Sequence, residues 1–246
     1  MKRLNWQILF GLSLGLLSAI LYLVHYAIFR DTHYIFNYLV GHLAFLPIHV
    51  LLVTLVIHEL LKIREKRAML RKMNMVIGAF YSEVGSRLLK SFPEFDLHYE
   101  EIRRNLVITN DWSALQFSGV GESLKSYNYK IDSQKGDLEA LKSFLIERRD
   151  FLLGLLENPN LLEHESFTDL LWAVFHLTEE LASRADVKRL SVTDYAHLSG
   201  DIKRAYILLI SEWVAYMKHL KDNYPYLFSL AIRTNPFDPN ASVEVT

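Results

Sequence analysis

Two long apolar runs lie near the start of the chain, and the rest alternates apolar and polar residues with helical spacing. The first run, residues 6–29, has no charged side chain, and the second, residues 38–61, has one, Glu59. Each exceeds the roughly 20 residues that a helix needs to cross a bilayer core. A signal peptide is the alternative for the first run, but this run is too long and lacks a small-residue cleavage site. Two transmembrane helices are therefore predicted.

Helical periodicity continues through the remaining three-quarters of the chain, without a convincing alternating strand pattern. The predicted fold class is all-α: a two-helix transmembrane hairpin followed by a cytosolic antiparallel helical bundle. The predicted parts are the hairpin at residues 1–61, a basic connecting helix at 62–91, the bundle at 92–232 and an extended tail at 233–246.

Within the bundle, local signals predict where helices begin and end. Ser133 is predicted to cap a helix that runs to Asn158, and Ser191 to open the last long helix with a capping box. Ser199–Gly200 is a candidate break in that helix, and "GVGES" at residues 119–123 is predicted to be a turn. Trp172, at a helical position, is predicted to lie in the core.

The distribution of charged residues predicts how the chain is oriented in the membrane and what its basic cluster contacts. Basic residues cluster just after the second apolar run: Lys62, Arg64, Lys66, Arg67, Arg71 and Lys72. With Lys2 and Arg3 before the first run, they predict that both termini are cytoplasmic and that the cluster contacts anionic headgroups. After residue 72, 18 basic residues face 25 acidic ones, which argues against nucleic-acid binding. The absence of cysteine excludes disulfides, cysteine metal sites and thiol catalysis.

Histidines within the apolar runs are the first candidate site. If the loop turns between His33 and Tyr34, His25 and His42 lie at equal depth, with His49 deeper on the same helix. This arrangement is typical of a haem or metal site, and ionisable groups inside a membrane indicate function by default. The alternative is that these histidines form hydrogen bonds between helices or lie at the interface. The packing interpretation is favoured.

Small residues form a second pattern in the first run. Gly11 and Gly15 have the G-x-x-x-G spacing, and Ser18 continues the stripe. Such a stripe permits close helix approach, either in a homo-oligomer or against the chain's own second span.

Polar residues on two helices of the predicted bundle form the third candidate. Histidines and carboxylates recur there on one face of each helix, at Asp169, His176, Glu180, His197, Asp201, Glu212 and His219. Facing stripes of this kind build metal sites in helical bundles, although the Glu-x-x-His pairs of dinuclear sites are absent from these helices. The alternative, which is favoured, is a solvated charged face with an ion-paired histidine.

Four segments carry a resemblance to a known family: "MNMVIGAFYSEVG", "DLLWAVFHLTEEL", "LSGDIKRAY" and "YPYLFSLAIRTNPFDP". The chain resembles an uncharacterised family of bacterial two-span inner-membrane proteins with a helical cytosolic domain. The resemblance covers nearly the whole chain. It implies a multi-pass protein of the bacterial inner membrane and no particular activity.

The sequence predicts a non-enzymatic, membrane-anchored module for protein interaction or signal relay, with an unknown cytosolic partner. No cofactor is required by the sequence. One alternative is a membrane haem or metal protein that uses His25 and His42. Another is an oligomeric channel or transporter accessory subunit.

Overall fold

A computed structural model describes residues 2–159, 161 and 164–244, with the side chains of 2–7, 66–71 and 125 outside that description. Every regular element in the described residues is a helix, which confirms the all-α prediction. Residues 96 and 131 make an isolated antiparallel bridge. The chain divides into two compact units, residues 1–65 and 66–246.

Ten α-helices follow one another along the described chain. They are α1 (Lys2–Phe29), α2 (Thr32–Phe80), α3 (Ser86–Ser91), α4 (Tyr99–Arg103), α5 (Ala114–Ser126), α6 (Leu138–Glu147), α7 (Arg149–Leu156), α8 (Glu165–Ala182), α9 (Val192–Asn223) and α10 (Pro225–Arg233). A π-helical turn, Tyr81–Gly85, separates α2 from α3, and short 3-10 helices occupy Phe92–Phe95 and Arg104–Leu106.

The described side chains of the first unit are mostly apolar, and none of them is buried. Ile8–Phe29 has a mean hydropathy of 2.1 and Thr32–Glu65 of 2.2, so both segments are long and apolar enough to cross a membrane. None of the described side chains from Ile8 to Glu65 is buried. The turn between α1 and α2 is shorter than the predicted loop at 30–37, because Arg30 adopts a φ of 47° and Asp31 accepts a hydrogen bond from the Tyr34 backbone N–H at 3.0 Å.

The second unit contains a hydrophobic core that begins at Met73 and ends at Phe237. Its largest fully buried side chains include Tyr206, Phe80, Phe92, Phe95 and Phe167. Helices α8 and α9 are the central pair: Leu170, Val174, Leu177 and Leu181 of α8 and Ile202, Leu209 and Ile210 of α9 are all fully buried. Apolar residues at intervals of three and four place one face of each helix in this core.

The π-helical turn was not predicted, and side-chain packing accounts for it. Tyr81 donates a hydrogen bond from its hydroxyl to the Leu209 carbonyl at 2.8 Å, and its ring stacks on Tyr216 with centroids 5.3 Å apart. Gly85 lies against the same ring, where a side chain would have no room. The distortion at residues 81–85 is therefore tied to contacts with α9, which a local pattern does not reveal.

Several predicted helix boundaries differ from those observed. Asp137, not Ser133, caps α6 by accepting a hydrogen bond from the Ala140 N–H at 2.9 Å, while buried Ser133 donates one to the Tyr195 carbonyl at 2.7 Å. Residues 119–123 are helical, because Ser113 and Gln116 form a capping box that starts α5 before them. Helix α9 runs through Ser199–Gly200 without a break, and Ser191 caps it as predicted.

Candidate metal centre

Two histidine–carboxylate pairs occupy the surface where α8 meets α9. His176 and Glu180 are four residues apart on α8, and His197 and Asp201 are four residues apart on α9. That spacing is close to one helical turn, so each pair lies on one face of its helix. The apolar faces of α8 and α9 fix how the helices pack, and this packing brings the two pairs together.

The four side chains approach closely. His197 Nε2 lies 3.2 Å from an Asp201 oxygen and 3.4 Å from a Glu180 oxygen. His176 Nε2 lies 3.6 Å from the other Asp201 oxygen and 3.9 Å from the other Glu180 oxygen. One ligand atom each from His176, His197 and Asp201 all lie within 4.8 Å of one another.

Asp201 is the buried member of the cluster. Its residue is 3% exposed, and Arg204 Nη1 donates a hydrogen bond to its Oδ1 at 3.1 Å. Its Oδ2 is buried and makes no hydrogen bond. Oδ2 faces His197 Nε2 and Oδ1 faces His176 Nε2, so the buried carboxylate lies between the two imidazoles.

Glu180 is held in place by Arg184, which sequence analysis did not single out. Arg184 Nη1 donates to Glu180 Oε2 at 2.7 Å, and its Nη2 donates to Asp194 Oδ1 at 3.0 Å. The hydrogen bond from Arg184, with the positive charge near it, lowers the pKa of Glu180 below its ordinary value. Glu180 therefore presents an ionised carboxylate to the cluster at neutral pH.

This donor set matches the preferences of divalent transition metals. An ion with bonds of about 2.0–2.2 Å to nitrogen and oxygen holds tetrahedral ligand atoms about 3.3–3.6 Å apart. The shortest nitrogen–oxygen contacts, 3.2, 3.4 and 3.6 Å, are of that order, but they involve both Asp201 oxygens and Glu180. One atom each from His176, His197 and Asp201 lies within 4.8 Å of the others, so an ion would draw these ligands closer together. Imidazole and carboxylate together suit zinc, nickel or copper better than magnesium. The histidine side chains are 45% and 52% exposed, so solvent reaches the cluster from one side.

The rest of the predicted stripe lies elsewhere. Asp169 lines a groove that reaches His176. Glu212 is 6% exposed and lies near Tyr81. Burial raises the pKa of the Tyr81 phenol most, and the negative charge of Glu212 raises it further. His219 lines a different groove with Tyr216, and burial lowers its pKa.

Trp172 corrects a sequence prediction. It was expected in the core, yet it is 57% exposed beside His176 and Asp169. The buried face of α8 passes through Leu170, Leu171 and Val174, and Trp172 falls outside it.

The membrane histidines each contact an aromatic ring of the first unit. His25 stacks on Tyr34 with centroids 5.8 Å apart, whereas His42 meets Tyr38 at 4.3 Å and His49 meets Phe45 at 4.6 Å. The turn is at residues 30–31 rather than 33–34, and the residue that faces His25 from α2 in the stacking contact is Tyr34. Haem or metal binding by His25, His42 and His49 stays a prediction.

The small-residue stripe lies on α1, and the basic cluster lies in the later part of α2. A Cβ added at Gly11 or Gly15 would meet no described atom within 4 Å, and Ser18 lines a groove with His25. Among the basic residues, Lys62, Arg64 and Lys72 are exposed. The side chains of Lys66, Arg67 and Arg71 lie outside the described residues.

Comparison with known proteins assigns both parts of the chain to one family. Residues 69–233 match the family described as "Uncharacterized protein MJ1433, C-terminal helical domain", and residues 2–61 match its N-terminal helical domain. Uncharacterized protein MJ1433 of Methanocaldococcus jannaschii is 47% identical over 238 residues, which is 97% of this chain and 96% of that protein. No solved structure matches the chain. This relative is archaeal, so bacterial origin stays a prediction.

Proposed function

Because the chain belongs to the uncharacterised MJ1433 family, we propose its function from its own geometry: it is a membrane-anchored helical module that binds a divalent transition-metal ion. His176, His197 and Asp201 are the ligands, and Glu180 is a fourth ligand or a hydrogen-bond partner. Zinc is the representative ion, because it accepts nitrogen and oxygen ligands in tetrahedral geometry.

The observation that carries this proposal is that two imidazoles converge on one buried carboxylate. His197 Nε2 lies 3.2 Å from Asp201 Oδ2 and His176 Nε2 lies 3.6 Å from Asp201 Oδ1, in a residue that is 3% exposed. A cation bound between these atoms would compensate for the buried charge.

Metal binding is tested directly with the full-length chain in mild detergent, stripped with chelator and then titrated with zinc in a calorimeter. We expect one zinc ion per chain. Replacing both histidines (His176→Ala with His197→Ala) removes two of three ligands and should weaken binding at least about 100-fold, since even residues that only support a ligand are worth 10–100-fold.

His219→Ala is the matched control, because His219 lies on α9 outside the cluster. It should bind zinc like the native chain. Failure of the native chain to bind zinc, or full binding by the double variant, would refute the proposal.

The membrane anchor is proposed to be a hairpin of α1 and the first part of α2, inserted in a bacterial-type inner membrane with both termini cytoplasmic. The basic residues from Lys62 onward support that orientation, and the second unit is then a cytosolic bundle. Open space beside Gly11 and Gly15 supports a homo-oligomeric contact. The role of the module remains interaction with a cytosolic protein partner, without an enzymatic step.

The orientation is tested by cysteine labelling, for which the absence of native cysteine provides a clean background. A membrane-impermeant maleimide should label Asp31→Cys in intact cells. It should label Ser242→Cys only after the membrane is permeabilised. The opposite pattern would reverse the topology, and labelling of both positions in intact cells would contradict the hairpin.

A further inference from the structure

A groove runs along the junction of α8 and α9 and ends at the candidate metal centre. Asp169, Trp172, Ala173 and His176 line it from α8, and Arg204 and Leu208 line it from α9. Its volume is about 460 Å³, within the range of small-molecule sites. His176 belongs both to the groove and to the metal centre, so a ligand in the groove reaches the ion.

Trp172 supplies a flat apolar surface in this groove. It is 57% exposed and lines the groove, so its ring is open to a ligand there. Its ring contacts Phe175 edge-on, with centroids 6.4 Å apart, and this contact supports it from α8. An exposed indole of this kind stacks well on a planar ring.

Arg204 supplies positive charge next to the metal centre. Its Nη1 is bonded to Asp201 Oδ1 at 3.1 Å, which uses one of five N–H donors, and the side chain is 59% exposed. The remaining donors match the oxygens of a phosphate, which guanidinium groups bind in a bidentate manner. With Glu180 as a hydrogen-bond partner and only His176, His197 and Asp201 as ligands, a zinc ion keeps a fourth position for a water molecule or an exogenous oxygen.

Asp169 lies one helical turn before Trp172, at the other end of the groove. A carboxylate there repels a second anion and accepts hydrogen bonds from hydroxyl or amino groups. The groove therefore has an anion-binding end at Arg204 and the metal, an aromatic middle at Trp172 and an acceptor at Asp169.

We propose that this groove binds a phosphate monoester attached to a planar, hydrogen-bond-donating group, of the class of nucleoside monophosphates. One phosphate oxygen occupies the open metal position and the others bond to Arg204, while the ring stacks on Trp172. The inference rests on the proposed metal binding. Both parts of the ligand are needed, because the phosphate contacts Arg204 and the metal while the ring contacts Trp172.

The test is calorimetric titration of the zinc-loaded, full-length chain with adenosine monophosphate, adenosine and glycerol 3-phosphate. Adenosine monophosphate should bind at least about 10-fold more tightly than either of the others. Glycerol 3-phosphate carries the phosphate monoester of a lipid headgroup without a ring, so equal binding of the two esters would overturn the aromatic assignment.

Two variants test which side chains contact the nucleotide. Arg204→Met removes a hydrogen bond to the ligand Asp201, so it is titrated with zinc in excess to keep the site loaded, and it should lose at least about 10-fold in affinity for adenosine monophosphate. Trp172→Leu should keep zinc and lose roughly 5- to 150-fold, the range measured for one base–aromatic stack. Arg103→Met, whose arginine is paired with Glu100 on α4, is the control and should bind like the native chain.

Zinc binding and nucleotide binding are measured in separate titrations, so each proposal can be refuted on its own. Zinc binding without preference for adenosine monophosphate, or native affinity in Arg204→Met, would overturn the groove assignment and leave the metal site intact. Absence of zinc binding would overturn both.

Discussion

Zinc at about 100 times its dissociation constant is expected to stabilise the folded chain by about 2.7 kcal/mol. The gain arises because the four clustered side chains come from two helices and are brought together only in the folded state. For a unit of this size, the gain corresponds to a rise of roughly 5–10 °C in melting temperature. Thermal melting followed by circular dichroism, in detergent with zinc or with chelator, measures it.

The control variants make this prediction specific to the cluster. The shift should disappear in the chain with both His176→Ala and His197→Ala, and persist in His219→Ala. A chelator added after zinc should restore the original melting temperature. If the double variant keeps the full shift, zinc binds elsewhere, and the membrane histidines His25 and His42 become the next candidates.

Gly85→Ala is expected to destabilise the second unit by about 1–3 kcal/mol, the usual cost of excess volume in a packed core. An added Cβ at this position would lie 2.5 Å from a Tyr81 ring carbon and 2.9 Å from a Phe80 ring carbon. Neither ring can retreat easily. Tyr81 is fixed by its hydrogen bond to Leu209, and Phe80 packs edge-on against Phe167 at 5.5 Å.

Gly154→Ala is the matched control, since it lies inside α7 and an added Cβ meets no described atom within 4 Å. Alanine is the better helix former, so this change should stabilise the chain by up to about 1 kcal/mol. Urea denaturation of both variants should therefore move the midpoint in opposite directions. If Gly85→Ala had the same urea midpoint as the native chain, the π-helical turn would have to relax to accept a side chain.

Sequence patterns singled out the side chains of the candidate centre but not which of them meet. The stripe correctly placed His176 with Glu180, and His197 with Asp201, because one helical turn separates each pair. It also included Glu212, which shares a face with Asp201 but lies about 16 Å farther along the helix axis. Periodicity gives the angle of a residue around its helix, and only tertiary packing decides where the neighbouring helix crosses.

The same distinction applies to the fold. Helix content and the cap of α9 were predictable, because they depend on residues near in sequence. The π-helical turn and the burial of Ser133 depend on contacts with α9, more than 60 residues away. The turn between α1 and α2 was placed too late, since apolar composition alone does not reveal that Asp31 starts α2.

Arg184 holds one carboxylate of the proposed centre in place. It donates to Glu180 at 2.7 Å and ties that residue to Asp194 at the start of α9. The cluster as a whole offers two imidazole nitrogens and two carboxylates, not the six to eight oxygens at 2.3–2.6 Å that calcium requires. Discrimination against calcium and magnesium would then follow from the donor set, and an arginine that never touches the ion keeps one member of that set ionised and in position.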